Sequence, residues 1–393
     1  MKRITASLVF IFAVMTANAQ DLGQFTFDGF VRTGFLWEKN ERIGQPAETK
    51  MSLRSLNDDA GTGHGRIRMN FGYAINNVGI KGRIQWDNWQ IERKSPDWPY
   101  LFGYINAFQD QFTMSLGKLG ASPWGTGGPE KYKELESVSD GSGGGGVRFE
   151  YKPLFAPGLN VGFVLNWYNG STDRGINRDV TLLDLLQETV FGIAYEHEYF
   201  LVHFEYRLDS EIDQRPGSGN QSGGAKEGDD LIYRLEERVL KNYLPDFKIW
   251  ALGVYQGVGA DDIYLRFENW FFAEYAPEWG TAQIRLGYDV VSATSILHVK
   301  PSYYHNFFDK LIQVGASFYL ANDFGDNRIN KDAPYTEMRI TPKLQVNFPG
   351  IVNAYAVFEY EFKQIYKQPQ PNNIPNPPIE RFQTMNLRFG MAF

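Results

Sequence analysis

The chain has 393 residues, no cysteine, and 39 lysines and arginines against 46 aspartates and glutamates, for a formal net charge of −7. Disulfides, thiolate metal sites and a lipidated cysteine are therefore excluded, and so acidic a chain is a poor partner for nucleic acid. Mean hydropathy is −0.38 and no run of about 18 apolar residues follows Gln20, which excludes a transmembrane helix. Aromatic residues nevertheless make up 16% of the chain, and there are 40 glycines. Aromatic belts combined with polar, glycine-spaced faces are what a membrane-spanning β-barrel requires.

At the N-terminus, Lys2 and Arg3 precede the apolar run Leu8 to Met15, and Ala17-Asn18-Ala19 supplies small residues suited to cleavage. Residues 1–19 are expected to be a signal peptide, leaving 20–393 as one exported domain.

Two-residue alternation then recurs along the chain. Phe25, Phe27, Val31, Phe35 and Trp37 share one face of 25–37, with Asp28 and Arg32 on the other. In 64–75, Ile67, Met69, Phe71, Tyr73 and Ile75 oppose Arg66, Arg68, Asn70, Gly72 and Ala74. After the tight turn at Asn76-Asn77, Ile80, Ile84 and Trp86 oppose Lys81, Arg83, Gln85 and Asp87. Further strands are predicted over 98–109, 111–119, 144–152, 158–168, 188–197, 200–208, 247–256, 261–272, 279–290, 294–305, 311–321, 335–348, 352–366 and 381–393.

A single-chain barrel takes an even number of strands with both termini on one side. The long connections 38–62, 120–143, 169–187, 209–230, 322–334 and 367–380 fall on the opposite side only if 231–242 contributes a strand. That brings the count to eighteen. Asp229 or Asp230 could instead cap an amphipathic helix there, which leads to sixteen. The predicted fold is thus all-β: a transmembrane, antiparallel, up-and-down barrel of about eighteen strands, with the last strand closing on the first.

Nearly every strand charge takes the inward phase, as it must where a midplane Arg or Lys facing lipid costs about 2–4 kcal/mol. Strands one, two, three and the last become neighbours on closure. Their Arg32, Arg66, Arg68, Lys81, Arg83 and Arg388 are expected to form one basic patch lining the pore. The connection 120–143 carries Glu130, Glu134, Glu136 and Asp140 between glycine-rich flanks. Inward-phase Trp89, Tyr168, Tyr264, Trp270, Tyr304, Tyr319 and Tyr355 could supply an aromatic track for sugars, or belong to the rim.

In the last segment Met385, Leu387, Phe389, Met391 and Phe393 share one face, opposite Thr384, Asn386, Arg388, Gly390 and Ala392. This ending resembles the C-terminal assembly signal of bacterial outer-membrane proteins, which implies outer-membrane lipid and the barrel-assembly machinery as partners. The whole mature chain is similar in architecture to the general bacterial porins, in which the loop between strands five and six folds into the lumen and its acidic residues face a basic ladder. The loop position, its glycines and carboxylates, the opposing basic wall and Phe393 carry that resemblance. Eighteen strands would lean towards the substrate-selective or sugar-specific porins.

The resemblance implies a passive outer-membrane channel for small hydrophilic solutes, leaning towards anionic or sugar-like ones, with a homotrimer as the common assembly. The alternative is an adhesin or structural barrel with surface-exposed binding loops. No cofactor is expected. None of the five histidines (His64, His197, His203, His298 and His305) has a serine or carboxylate at catalytic spacing, so no enzyme is expected. Asp209, Glu211 and Asp213 fit no EF-hand pattern, and no metal site is expected.

Overall fold

A computed structural model describes residues 23–42, 46–53, 66–87, 97–119, 124, 145–168, 189–208, 229–258, 266–291, 294–324, 335–348, 350, 353–367 and 379–393. The predicted signal peptide, the carboxylates Glu130, Glu134, Glu136 and Asp140, and the possible track residues Trp89 and Tyr264 lie outside the described residues, as do the side chains of Arg66 and Tyr168.

The strands in chain order are β1 (Gln24–Arg42), β2 (Glu48–Leu53), β3 (Arg66–Ile75), β4 (Val78–Asp87), β5 (Asp97–Ala107), β6 (Phe112–Lys118), β7 (Gly145–Tyr151), β8 (Leu159–Tyr168), β9 (Thr189–Glu196) and β10 (Phe200–Arg207). They continue with β11 (Asp229–Glu237), β12 (Phe247–Val258), β13 (Arg266–Tyr275), β14 (Gly280–Val291), β15 (Thr294–Phe307), β16 (Ile312–Asp323), β17 (Tyr335–Phe348), β18 (Asn353–Lys367) and β19 (Ile379–Ala392). All neighbours pair antiparallel. β19 closes on β1 from Phe30 opposite Ala392 to Arg42 opposite Glu380. The ring therefore holds eighteen strands, with β2 as one extra strand outside it.

β2 falls within what the sequence suggested was a loop. β1 is 19 residues long, against the roughly 9–11 a tilted strand needs to cross a bilayer. Its first half pairs β3, from Gln24 opposite Ala74 to Arg32 opposite Arg66. Its second half rises past the start of β3, and β2 covers that edge from Phe35 opposite Leu53 to Asn40 opposite Glu48. An uncovered edge would leave a row of backbone groups unpaired.

The ambiguous segment resolves as strand β11 followed by a single 3-10 turn, Leu240–Asn242. The two-residue period wins because it points Leu231, Tyr233 and Leu235 outwards while Ile232 and Arg234 are buried within.

Hydrophobicity is inverted relative to a soluble protein. Ile80, Ile105, Phe191, Ile193, Phe271, Leu286, Ile340 and Phe358 are exposed on the outside, while Gln85, Glu150, Glu205, Arg234, Glu268 and Glu337 are buried on the inside. An apolar outside of this kind is what a barrel must present if it is to span a membrane. The seam is locked at its end: Gly29 N donates to the Phe393 carbonyl and Phe393 N to the Gly29 carbonyl, each at 3.0 Å. The Phe393 ring stacks on Phe27 at 5.8 Å and lies over Gly29, where an added Cβ would come within 2.9 Å of it. Short turns gather at this end of the barrel. Two of them, Phe108-Gln109-Asp110 and Phe308-Asp309-Lys310, hold three successive residues at positive φ. In both, the penultimate residue of the preceding strand is an asparagine that accepts a 3.0 Å hydrogen bond, Asn106 from Thr113 and Asn306 from Gln313.

Candidate functional site

The site is the inner wall, and its chemistry follows from strand phase. On β1 and β3, Phe30 shares the inward face with Arg32 and Arg68, and both guanidinium carbons sit 5.3 Å from its ring centroid. Arg68 Nε also donates to Gln85 Oε1 at 2.8 Å. On β4, Arg83 lies 4.9 Å over Tyr100 and Lys81 lies 5.3 Å over Tyr104, both rings coming from β5. Arg83 Nε donates to Asn70 Oδ1 at 2.7 Å, and Asn70 in turn donates to Asp28. Arg388 on β19 is ion-paired with Glu359. Arg66 pairs in register with Arg32.

The structure thus brings Arg32, Arg68, Lys81, Arg83 and Arg388 onto one arc of the wall. Neither Lys81 nor Arg83 has a carboxylate within ion-pairing distance among the described residues; their partners are rings and an amide. Cation–π contact of this kind contributes about 0.5–2 kcal/mol. A stacked guanidinium keeps its N–H donors at its edge, so stacking does not consume them. Lys81 and Arg83 consequently present positive charge that no carboxylate among the described residues neutralises by direct contact.

Nine strands further round the ring the wall is built differently. Trp250 and Phe272 stack at 5.0 Å with planes 2° apart, and Trp270 packs beside them. Phe272 is 0% exposed and Trp270 3%. Trp270 Nε1 donates to Glu268 at 3.0 Å, His298 Nδ1 and the Tyr319 hydroxyl are 2.8 Å apart, and Arg339 lies 4.9 Å over Tyr319. Arg339 pairs with Glu337, and Lys363 meets the same carboxylate at 3.2 Å.

Trp270, Tyr304, Tyr319 and Tyr355 all take the inward phase. Trp270 is buried, Tyr304 carries Lys343, Tyr319 carries Arg339, and the hydroxyl end of the Tyr355 ring lies against Gly390. These rings serve as seats for cations and as cover for glycine.

Between the two arcs, β8 and β9 carry an apolar inner face. Gly162 pairs with Glu150 and Gly192 with Glu205, while Phe191 and Ile193 point out. The inward positions Gly162, Val164, Val190, Gly192 and Ala194 carry no charge. Trp124, from the connection after β6, is 0% exposed and packs there with Leu119, Phe102, Val164, Val190 and Ala194. An added Cβ on Gly162 would fall 2.7 Å from the indole Cζ2, and one on Gly192 would fall within the ring system itself. Full burial of a tryptophan, about 150–250 Å² at roughly 25 cal/mol per Å², corresponds to about 4–6 kcal/mol as an upper bound.

Sequence reasoning passed over Phe30, Tyr100, Tyr104 and Trp124. The uncharged inner phase of β8 and β9 was the available signal for a docked side chain. Among the described residues there is no group of three or more potential metal ligands and no helix long and apolar enough to cross a membrane.

A closed eighteen-strand barrel with an apolar outside and a charged inside has the architecture of the bacterial outer-membrane porins. The chain is similar in structure to an anion-selective porin from Comamonas acidovorans, with a TM-score of 0.52 and 11% identity over 94% of this chain and 100% of that one. It is similar also to OpdQ of Pseudomonas aeruginosa, with a TM-score of 0.52 and 7% identity over 93% of this chain and 98% of that one. A trimer form of OmpT, an outer membrane protein of Vibrio cholerae, matches more loosely, with a TM-score of 0.39 and 10% identity over 94% and 100% of the two chains. At such identities the likeness is one of fold. No family model matches the sequence, and no curated protein matches it.

Proposed function

We propose that this barrel is an outer-membrane porin, a passive channel for small hydrophilic solutes that favours anions. The observation that carries the proposal is the arc of Arg32, Arg68, Lys81 and Arg83, in which Lys81 and Arg83 rest on tyrosines instead of carboxylates. Positive charge with no contacting carboxylate, set on low-dielectric walls around an aqueous lumen, raises the local concentration of anions and speeds their entry. Solutes bearing carboxylate or phosphate are the class such a wall admits. Nothing in this function calls for a catalytic step.

The proposal extends to parts outside the described residues. Residues 1–19 direct export, and 120–143 folds into the lumen so that Glu130, Glu134, Glu136 and Asp140 face the basic arc. Burial of Trp124 against β8 and β9 supports that path. Met385, Leu387, Phe389, Met391 and Phe393 act as the signal read by the assembly machinery, and the barrel resides in the outer membrane as a homotrimer. Planar-bilayer recording of the refolded barrel is the test. A steady open conductance with anions more permeant than cations is expected; a folded barrel that passes no current would transfer the case to an adhesin or structural barrel.

A further inference from the structure

We infer that a second copy of this chain packs against the outer face of β6 to β11, with Lys118 of one barrel meeting the Tyr206–Asp229 pair of its neighbour. This rests on the homotrimer included in the function proposed above and names the face on which its copies meet. Strand phase is what marks the face. On β1, Phe25, Phe27, Val31, Phe35 and Trp37 point outwards before the first outward charge, Lys39, and on β19 the outward face is apolar from Phe393 to Met385 before Arg381 is reached. On β6 only Phe112, Met114 and Leu116 precede Lys118, which is exposed and stands opposite outward-facing Leu101. Six steps of about 3.3 Å on a strand tilted by about 40° place Lys118 roughly 15 Å above Phe112, inside an apolar band about 25 Å tall.

The strands are also short on this side. β6 and β7 have 7 residues each and β9 and β10 have 8, against 14 or 15 in β17, β18 and β19. A hydrophobic span too short for its bilayer is relieved when a protein neighbour takes the place of lipid. The middle of the face is aromatic, as the core of a protein interface is. Phe149 lies 6.0 Å from Phe112 and 4.9 Å from Phe163 between ring centroids, and Phe163 stands opposite Phe191. At the far end the Tyr206 hydroxyl donates to the carboxylate of Asp229, two residues before outward-facing Leu231.

Charge decides what covers this face. Lys118 has no carboxylate within ion-pairing distance among the described residues, and an ammonium turned to hydrocarbon at this depth is costly. All copies enter the membrane the same way up, so a symmetry axis relating them lies along the membrane normal. Such a rotation sets each half of a shared face against the opposite half of its neighbour's. β6 and β11 are equidistant from the centre of the face, which falls between β8 and β9. The rotation thus brings Lys118 to the neighbour's Asp229, and the ammonium gains a counter-charge while lipid is excluded from the phenylalanines.

The chain has no cysteine, so introduced cysteines report this contact without background. Neighbouring strands lie about 4.8 Å apart, which separates β6 from β11 of the same barrel by about 24 Å, far beyond disulfide reach. A disulfide joining positions 118 and 229 can therefore form only between copies. Lys118→Cys and Asp229→Cys barrels carrying different tags are refolded together and oxidised; a dimer bearing both tags is expected, with far less product from either barrel alone. By light scattering the parent is expected to be an oligomer, Lys118→Glu a monomer, and Lys118→Asp with Asp229→Lys an oligomer again, each folded as judged by migration on an unheated gel. Planar-bilayer conductance is recorded alongside. A parent oligomer that gives no mixed dimer and survives Lys118→Glu overturns this face and leaves the homo-oligomer standing. A folded parent that is monomeric overturns both. Mixed dimers in barrels that pass no current would overturn the channel function while leaving the interface in place.

Discussion

On the arc formed by β3, β4 and β5, Lys81 and Arg83 rest on Tyr104 and Tyr100; on the arc from β13 to β18, Arg339 and Lys363 converge on the buried carboxylate of Glu337. Both arcs point cations into the same lumen and both stack them on aromatic rings. The difference lies in what balances the charge. A ring holds a cation in place without cancelling its field at a distance, whereas a carboxylate cancels it. Under the proposed function, one arc shapes what enters the channel and the other holds the wall together. Counting inward charges alone does not separate these two roles; the partners do.

That division can be broken most severely at Glu337. Its replacement by alanine leaves Arg339 and Lys363 without their shared acceptor, and partly buried pairs broken on one side cost roughly 2–4 kcal/mol. Urea unfolding followed by tryptophan fluorescence should register the loss, and the anion-to-cation ratio should rise, because Arg339 and Lys363 lose the carboxylate that balances them. An unshifted midpoint would show that this arc does not hold the wall together. At the seam, Gly29→Val pushes a branched side chain against both the Arg68 carbonyl and the Phe393 ring, and overpacking of this kind costs about 1–3 kcal/mol. The folded band on an unheated gel should disappear at a lower temperature than for the parent, without effect on selectivity; an unshifted temperature would show that the close packing at Gly29 does not hold the closure.

Strand architecture was highly legible in the sequence, and the reason is physical. Inside and outside are so unlike that a one-residue slip would expose Arg68 or Arg83 to lipid, so alternation marks both phase and register. All eighteen ring strands fall on predicted segments, including β11, where the two-residue period overrode a helical composition. β13 starts at Arg266 and not at the predicted residue 261. β2 was not legible, because six residues paired to a single edge leave no face pattern strong enough to separate them from a loop.

The basic arc was legible for the same reason as the strands, though its rings were not. Phe30 lies in the inward phase between outward-facing Phe27 and Phe35, and its role depends on Arg68, which is distant in sequence and brought opposite by pairing. Trp124 depends on glycines in β8 and β9 that only the folded ring brings to it.

A smaller effect sharpens the comparison further. The screening length falls from about 10 Å at 0.1 M salt to about 3 Å at 1 M. Anion preference set by the open arc should therefore weaken as salt is raised, while the unfolding midpoint, which depends on the buried pairs around Glu337, should move little.

The zero-current potential across a bilayer under a KCl gradient, recorded for the parent barrel and for Lys81→Glu with Arg83→Glu, tests the central claim most directly. The parent is predicted to prefer chloride and the double variant to lose or invert that preference, in a barrel that still folds and is less stable by about 1–4 kcal/mol as the two ring contacts are lost. A parent barrel that prefers potassium, or a double variant with the parent's potential, would contradict the assignment of the channel's selectivity to this arc.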